Sequence, residues 1–287
     1  MEADSAAAVV GEEEVSVVEA VAGSEALVAE GDSVAAAAGQ AGNTNRQALM
    51  ASMTLDELVT QLRAAYGSRL ASVLLYGSAA GGDHIADRSD YNVAVLLESL
   101  DASQLSAASA VARAWREAGN PPPMTMTVDE WRRSSDIFPM EYADIIERHK
   151  LLFGASPLDG ITVSPADLRL QLEQQVMGKL LQLRQGALLA GTDGKRQVEL
   201  ISASLSTMMV LFRAVLRLHG ERPEGDNTAI ATRVGTLAAF DAEPFLRAVQ
   251  HVRGTRTLSP SDAGAVLGGY LTSIEALNRY LDRFTTT

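Results

Sequence analysis

Residues 75–95 read Leu75-Tyr76-Gly77-Ser78-Ala79-Ala80-Gly81-Gly82-Asp83-His84-Ile85-Ala86-Asp87-Arg88-Ser89-Asp90-Tyr91-Asn92-Val93-Ala94-Val95. The apolar run Leu70–Tyr76 that leads into this stretch is short and halts at Gly77-Ser78, which predicts a buried strand over 70–76. A Gly- and Asp-rich loop over 79–89 follows, and Tyr91–Leu97 predicts a second strand. Gly-Ser at a strand end presents backbone N–H groups and a hydroxyl with no Cβ in the way, a geometry that suits the close approach of phosphate oxygens. Asp90 and Asn92 are two apart and so share one face of the second strand, where two oxygen ligands can meet a hard cation such as Mg²⁺.

Working outward, Thr54-Leu55-Asp56-Glu57 has capping-box spacing and opens a helix to about Tyr66, with Leu55, Leu58, Val59 and Leu62 on one face. Residues 102–118 predict one helix packed through Leu105, Ala108, Val111, Ala112 and Trp115, stopped by Gly119-Asn120 and three prolines. Residues 123–127 predict a short third strand, and Asp129 and Glu130 lie where the chain turns into a helix. Beyond Pro157 the pattern is helical only. Ser164-Pro165-Ala166-Asp167 supplies a cap, a proline at the first position and an acid in the first turn of a helix to Ala190. Further helices are predicted over 195–219, 227–238, 242–253 and 261–284. The apolar surface formed by Leu205, Met208, Met209, Leu211, Phe212, Val215 and Leu216 reads as helix packing.

Composition bounds what such a chain can do. It has 287 residues, no cysteine and four histidines, which excludes disulfides, thiolate metal sites and a cysteine nucleophile. The net charge of −12 argues against nucleic acid as the main partner and against an anionic membrane surface. Residues 1–50 hold fourteen alanines, nine acids, one arginine and no aromatic residue, and are expected to form an acidic, disordered tail. Lacking a signal-peptide pattern and an uncharged apolar stretch of about 18 residues, the chain is expected to be cytoplasmic. The expected layout is therefore α+β: a small mixed sheet with helices over 51–157, then an all-α bundle over 158–287. No pattern in the sequence speaks to oligomeric state.

Gly-Ser, a loop of about ten residues and a strand opening on a metal-binding acid resemble the signature of the nucleotidyltransferase superfamily, the DNA polymerase β-like fold. Its aminoglycoside nucleotidyltransferases share the layout of a small sheet followed by a helical domain. The stretches Ile137–Asp144 and Leu151–Gly154, with Leu168-Arg169, are similar to uncharacterised bacterial members. The resemblance implies a nucleoside triphosphate (NTP) held by Gly77 and Ser78, Mg²⁺ held by Asp90 and Asn92, and transfer of a nucleoside monophosphate to a hydroxyl. It also implies a basic residue reaching the triphosphate from the helical domain, for which Lys179 and Arg184 stand on the 165–190 helix. A small hydroxylated acceptor agrees with the acidity of the chain.

Two departures from the family pattern bear on mechanism. Active members carry a second acid where this chain has Asn92, and a third on the strand that falls here at 123–127, which offers only Thr125 and Thr127. Asp83, Asp87 or Asp129 is the candidate replacement carboxylate, and Glu173, Asp87 or Asp83 the candidate base; His84 reads as a solvated loop residue. The resemblance thus implies either a transferase or an inactive member that keeps the fold and acts as a nucleotide sensor or interaction module. His149-Lys150, His219, Arg222 and His251 receive no chemistry.

Overall fold

The computed structural model describes residues 53–77, 79–80 and 91–285. The expected tail over 1–50 lies outside the described residues, as do Ser78, Asp83, His84, Asp87 and Asp90. Helix α1 (Leu55–Tyr66) begins on the predicted capping box, with Thr54 accepting from the Glu57 amide and Glu57 accepting from the Thr54 amide. Strands β1 (Leu70–Tyr76) and β2 (Asn92–Leu97) follow and pair antiparallel. Next come α2 (Ala102–Ala107), α3 (Ser109–Glu117), β3 (Met124–Thr127), α4 (Val128–Arg133), α5 (Pro139–Glu147) and β4 (His149–Gly154).

The four strands form one mixed sheet in the order β3-β2-β1-β4, with β3 parallel to β2 and β4 antiparallel to β1. Both faces of the central strands are buried, which explains their unbroken apolar runs. Val73, Leu75, Val93, Val95 and Leu97 pack beneath Leu58, Leu62 and Trp115, while Leu74, Ala94 and Leu96 pack on Trp131, Tyr142 and Ile145. Two polar anchors fix the second layer: Tyr142 donates to the Trp131 carbonyl at 2.6 Å, and Trp131 Nε1 donates to the Pro157 carbonyl at 2.9 Å.

Three features differ from the sequence reading. The helix expected over 102–118 breaks at Ala108, and its phase shifts there: Gln104 is buried while Leu105, expected on the packed face, is exposed. Strand β4 has no counterpart in the reading, because its first three residues are exposed at a sheet edge and show no alternation. Helix α5 was likewise not anticipated as an element. A Cβ built on Gly154, at φ 81°, falls 1.9 Å from the Ala71 carbonyl oxygen, so only glycine lets β4 close on β1 here.

The rest of the chain is helical, as expected, through α6 (Pro165–Ala190), α7 (Gly194–Leu218), α8 (Asn227–Ala238), α9 (Glu243–Val252) and α10 (Pro260–Arg283). Ser164, Asp193, Asp226 and Ser259 cap α6, α7, α8 and α10 by accepting from first-turn amides. Helix α7 is the centre of the bundle and packs on α6, α8, α9 and α10. It is long and apolar enough to cross a membrane, yet Met208, Met209, Leu211, Phe212 and Val215 are buried against neighbouring helices. Met140 of α5 belongs to the bundle core, while Tyr142 and Ile145 of the same helix lie under the sheet. Helix α5 is therefore shared by both halves.

Candidate functional site

The antiparallel register of β1 and β2 pairs Tyr76 with Asn92, and the register of β1 and β4 pairs Tyr76 with His149. Asn92, Tyr76 and His149 thus form one row across the sheet, at the end where β1 stops. Immediately beyond, Gly77 takes φ 78°, the left-handed region that glycine enters without steric penalty. Its N–H donates to the Arg148 carbonyl at 3.2 Å, and its carbonyl accepts from Ala80 N at 3.1 Å, closing a tight turn. A Cβ built on Gly77 lies 3.5 Å from Asn92 Nδ2, so the glycine and the amide are direct neighbours. The two halves of the sequence motif meet, as far as its described residues extend.

Asn92 is half-buried, and its Oδ1 is a buried oxygen with no hydrogen-bond partner among the described residues. That oxygen is free, as far as the described residues go, to accept a hydrogen bond or to meet a cation. Tyr76 points to the same face of the sheet as Asn92 and packs beside Tyr142 and Ile145. Burial, with Glu141 and Asp144 of α5 adding like-sign repulsion, pushes its hydroxyl up to about 12, so it stays a neutral donor. Glu141 accepts from Gln171 Nε2 at 3.0 Å, and the other end of that amide accepts from Met140 N at 2.8 Å. Asp144 accepts from Arg148 at 2.5 Å and from Arg217 of α7 at 2.7 Å. The acids of α5 thus stand close to Tyr76, Asp144 paired with arginines from both halves of the molecule and Glu141 held by the neutral Gln171 amide.

The remaining sequence candidates are placed elsewhere. Asp129 opens α4, after the far end of β3, and pairs with Arg133. Since β3 runs parallel to β2, that end lies beside Leu97 and not beside Asn92, about 15 Å away along the strands. Glu173 is bound by Arg169, which also donates to the Leu281 and Asp282 carbonyls, so it is tied to α10. Lys179 donates to Gln182, and Arg184 donates to Glu275 of α10 at 2.8 Å. Gln171 is where α6 touches α5, and Lys179 and Arg184 lie about 12 and 20 Å further along the helix axis.

Tyr76, Glu141 and Asp144 were not singled out from the sequence. The signal for the last two was present in Glu141, Asp144 and Glu147, three acids at a spacing of three that share one side of a helix. Two histidines given no chemistry prove to be structural: His149 Nδ1 lies 2.9 Å from the Ile145 carbonyl, and His251 Nδ1 accepts from Leu258 N at 3.1 Å.

No family model matches the chain, and no curated protein matches it. Among solved structures, spectinomycin adenyltransferase from Enterococcus faecialis, determined with ATP and spectinomycin, aligns with a TM-score of 0.49 at 13% identity, over 79% of this chain and 99% of that one. A likeness at that level carries no residue role to this chain.

The donor set limits what metal the site can hold. Asn92 Oδ1 fits one coordination position of a hard cation. No group of three His, Asp or Glu converges for metal binding among the described residues, so they do not form the three-carboxylate, two-ion arrangement of active superfamily members.

Proposed function

We propose that this chain is a nucleotidyltransferase-like protein that binds an NTP at the Gly77–Asn92 end of the sheet and transfers its nucleoside monophosphate to a hydroxyl of a small molecule. The observation that carries this reading is the register: Tyr76 opposite Asn92 sets the glycine turn against the Asn92 amide, whose Nδ2 lies 3.5 Å from a Cβ built on Gly77. Gly77, which places no Cβ in the way, and Ser78 would hold phosphate oxygens through turn N–H groups other than those of Gly77 and Ala80, which are bonded within the protein. Asp90 and Asn92 would together hold one Mg²⁺, which supplies positive charge against the triphosphate. Tyr76, kept neutral, offers a hydrogen-bond donor beside this cradle.

In the proposed transfer the acceptor oxygen forms a bond to the α-phosphorus while the α–β bridging bond breaks. Pyrophosphate leaves with the bond electrons, and the hydroxyl proton passes to a carboxylate base. Asp83 and Asp87 are the candidates for that base, since Glu173 is engaged by Arg169. An NTP donor sets the reaction in the cytoplasm, and the acidity of the chain favours a small acceptor over nucleic acid.

Calorimetric titration of the full chain with ATP, GTP, CTP and UTP, with and without Mg²⁺, tests the site, and a pyrophosphate-release assay over a panel of hydroxylated acceptors tests turnover. Metal-dependent binding with pyrophosphate release is the expected result. Binding without release against every acceptor would point to a nucleotide sensor, and the absence of any binding would remove the site altogether.

A further inference from the structure

Helix α6 carries apolar residues on two sides. Leu168, Leu172, Val176, Leu180 and Leu183 are buried in the bundle, where α6 packs on α5, α7 and α10. On the other side Leu170, Met177, Leu181 and Leu188 are 63%, 40%, 50% and 82% exposed, and neighbouring Leu189 is 80% exposed. At 100° per residue the first four fall within about 20° of a single line, which runs about 27 Å along the helix. Together with Leu189 they leave roughly 500 Å² of apolar side chain open, at the upper end of the largest patch found on a typical monomer.

We infer that this line is the contact of a two-fold homodimer in which α6 packs antiparallel on α6 of a second copy. The spacing itself selects the occupant. From Leu170 the line advances seven residues, then four, then seven, so it reads the same in both directions. A two-fold axis at the level of Lys179 sets Leu170 against the partner's Leu188 and Met177 against the partner's Leu181, each contact made twice, as an isologous interface requires. In the heptad register of paired helices Leu170 and Met177 take d and Leu181 and Leu188 take a, with Gln174 and Arg184 at the intervening seam positions, which the same two-fold sets opposite each other.

Charge points the same way. The molecule is strongly acidic, so two copies repel wherever their acids face each other. Between Glu173 and Asp193 there is no Asp or Glu, and Lys179 and Arg184 are the charges in that span. Gln174 and Gln185 flank the line at about 40° and 60° and carry both donors and acceptors. The two-fold brings Gln174 of one copy to within one residue of the level of the other copy's Gln185, so these two amides can bond each other across the axis. The apolar line with its glutamine flanks approaches the surface of about 800 Å² per partner that a standard interface uses.

Sedimentation equilibrium of the full chain at about 50 µM, above the micromolar end of the range that interfaces of standard size span, should report twice the 30.4 kDa of the protomer. Met177→Glu and Leu181→Glu should each weaken dimerisation at least about 100-fold, with an unchanged far-UV circular dichroism spectrum showing that the fold is kept. Because the chain has no cysteine, orientation can be read directly. A mixture of Met177→Cys and Leu181→Cys chains should form a mixed disulfide dimer faster than either chain cross-links to itself. A monomer at that concentration overturns the proposal, whether or not it binds lipid vesicles through the same face. So does a dimer indifferent to both Glu substitutions, or one in which Leu181→Cys cross-links preferentially to itself.

Discussion

Arg217 of α7 donates to Asp144 of α5 at 2.7 Å, and the same guanidinium reaches Glu147 at 2.6 and 2.8 Å. Its side chain is only 11% exposed, so this is a buried charge held by two part-buried acids across the seam between sheet and bundle. Breaking such a pair from one side leaves uncompensated charge. Arg217→Ala should lower stability by about 1–3 kcal/mol, less than for a fully dry pair because both acids keep some contact with water. Urea denaturation measures this, and an unchanged midpoint would show that Arg148 alone suffices for Asp144.

Asn92→Asp should strengthen Mg²⁺-dependent nucleotide binding about tenfold or more, since a carboxylate supplies the charge that the amide lacks. Nucleotide titration at several Mg²⁺ concentrations measures the effect. Equal or weaker binding would show that this position does not ligate the metal.

Two glycines with left-handed backbone should respond differently to alanine. At Gly154 the new Cβ meets backbone oxygen at 1.9 Å, so Gly154→Ala should cost about 3 kcal/mol or more through loss of the β1–β4 closure. At Gly77 there is room beside Asn92, and Gly77→Ala should cost about 1 kcal/mol in stability while abolishing nucleotide binding at the turn. Paired urea melts and nucleotide titrations separate the two cases.

His219, at the end of α7, lies 2.5 Å from the Tyr280 hydroxyl, stacks on the Tyr280 ring and meets Phe284 edge-on. Burial holds its imidazole below the usual value near 6.5, with Arg233 adding to the effect and Glu221 opposing it. The unfolded chain therefore binds the proton first. This contribution to stability is complete above about pH 6.5 and is lost as the pH falls through the folded-state value. Thermal melts between pH 7.5 and about 5 should show that loss, and His219→Gln, which keeps an acceptor for Tyr280 but does not titrate, should flatten the profile.

Much of this architecture was readable from residue order because its signals are local. Thr54 with Glu57 and Ser164 with Pro165 mark helix starts, and the runs 70–76 and 92–97 mark strands buried on both faces. Strand β4 was not readable, since an edge strand is held by the backbone of β1 and needs no alternating side chains. Helix α5 was missed although Pro139 stands at its first position, and the break at Ala108 has no marker residue. The same division runs through the site. Gly77 and Asn92 lie on or beside adjacent strands close together in the sequence, whereas Tyr76 acquires its acidic surroundings only when α5, more than sixty residues later, folds back over the sheet.

Because α5 gives Met140 to one core and Tyr142 and Ile145 to the other, neither core can melt without stripping a wall from its neighbour. Both tryptophans, Trp115 and Trp131, sit on the sheet side, while most of the helix lies in the bundle. Fluorescence and far-UV circular dichroism therefore watch different halves of the molecule, and a single shared transition in the two signals is the thermodynamic signature of one cooperative unit.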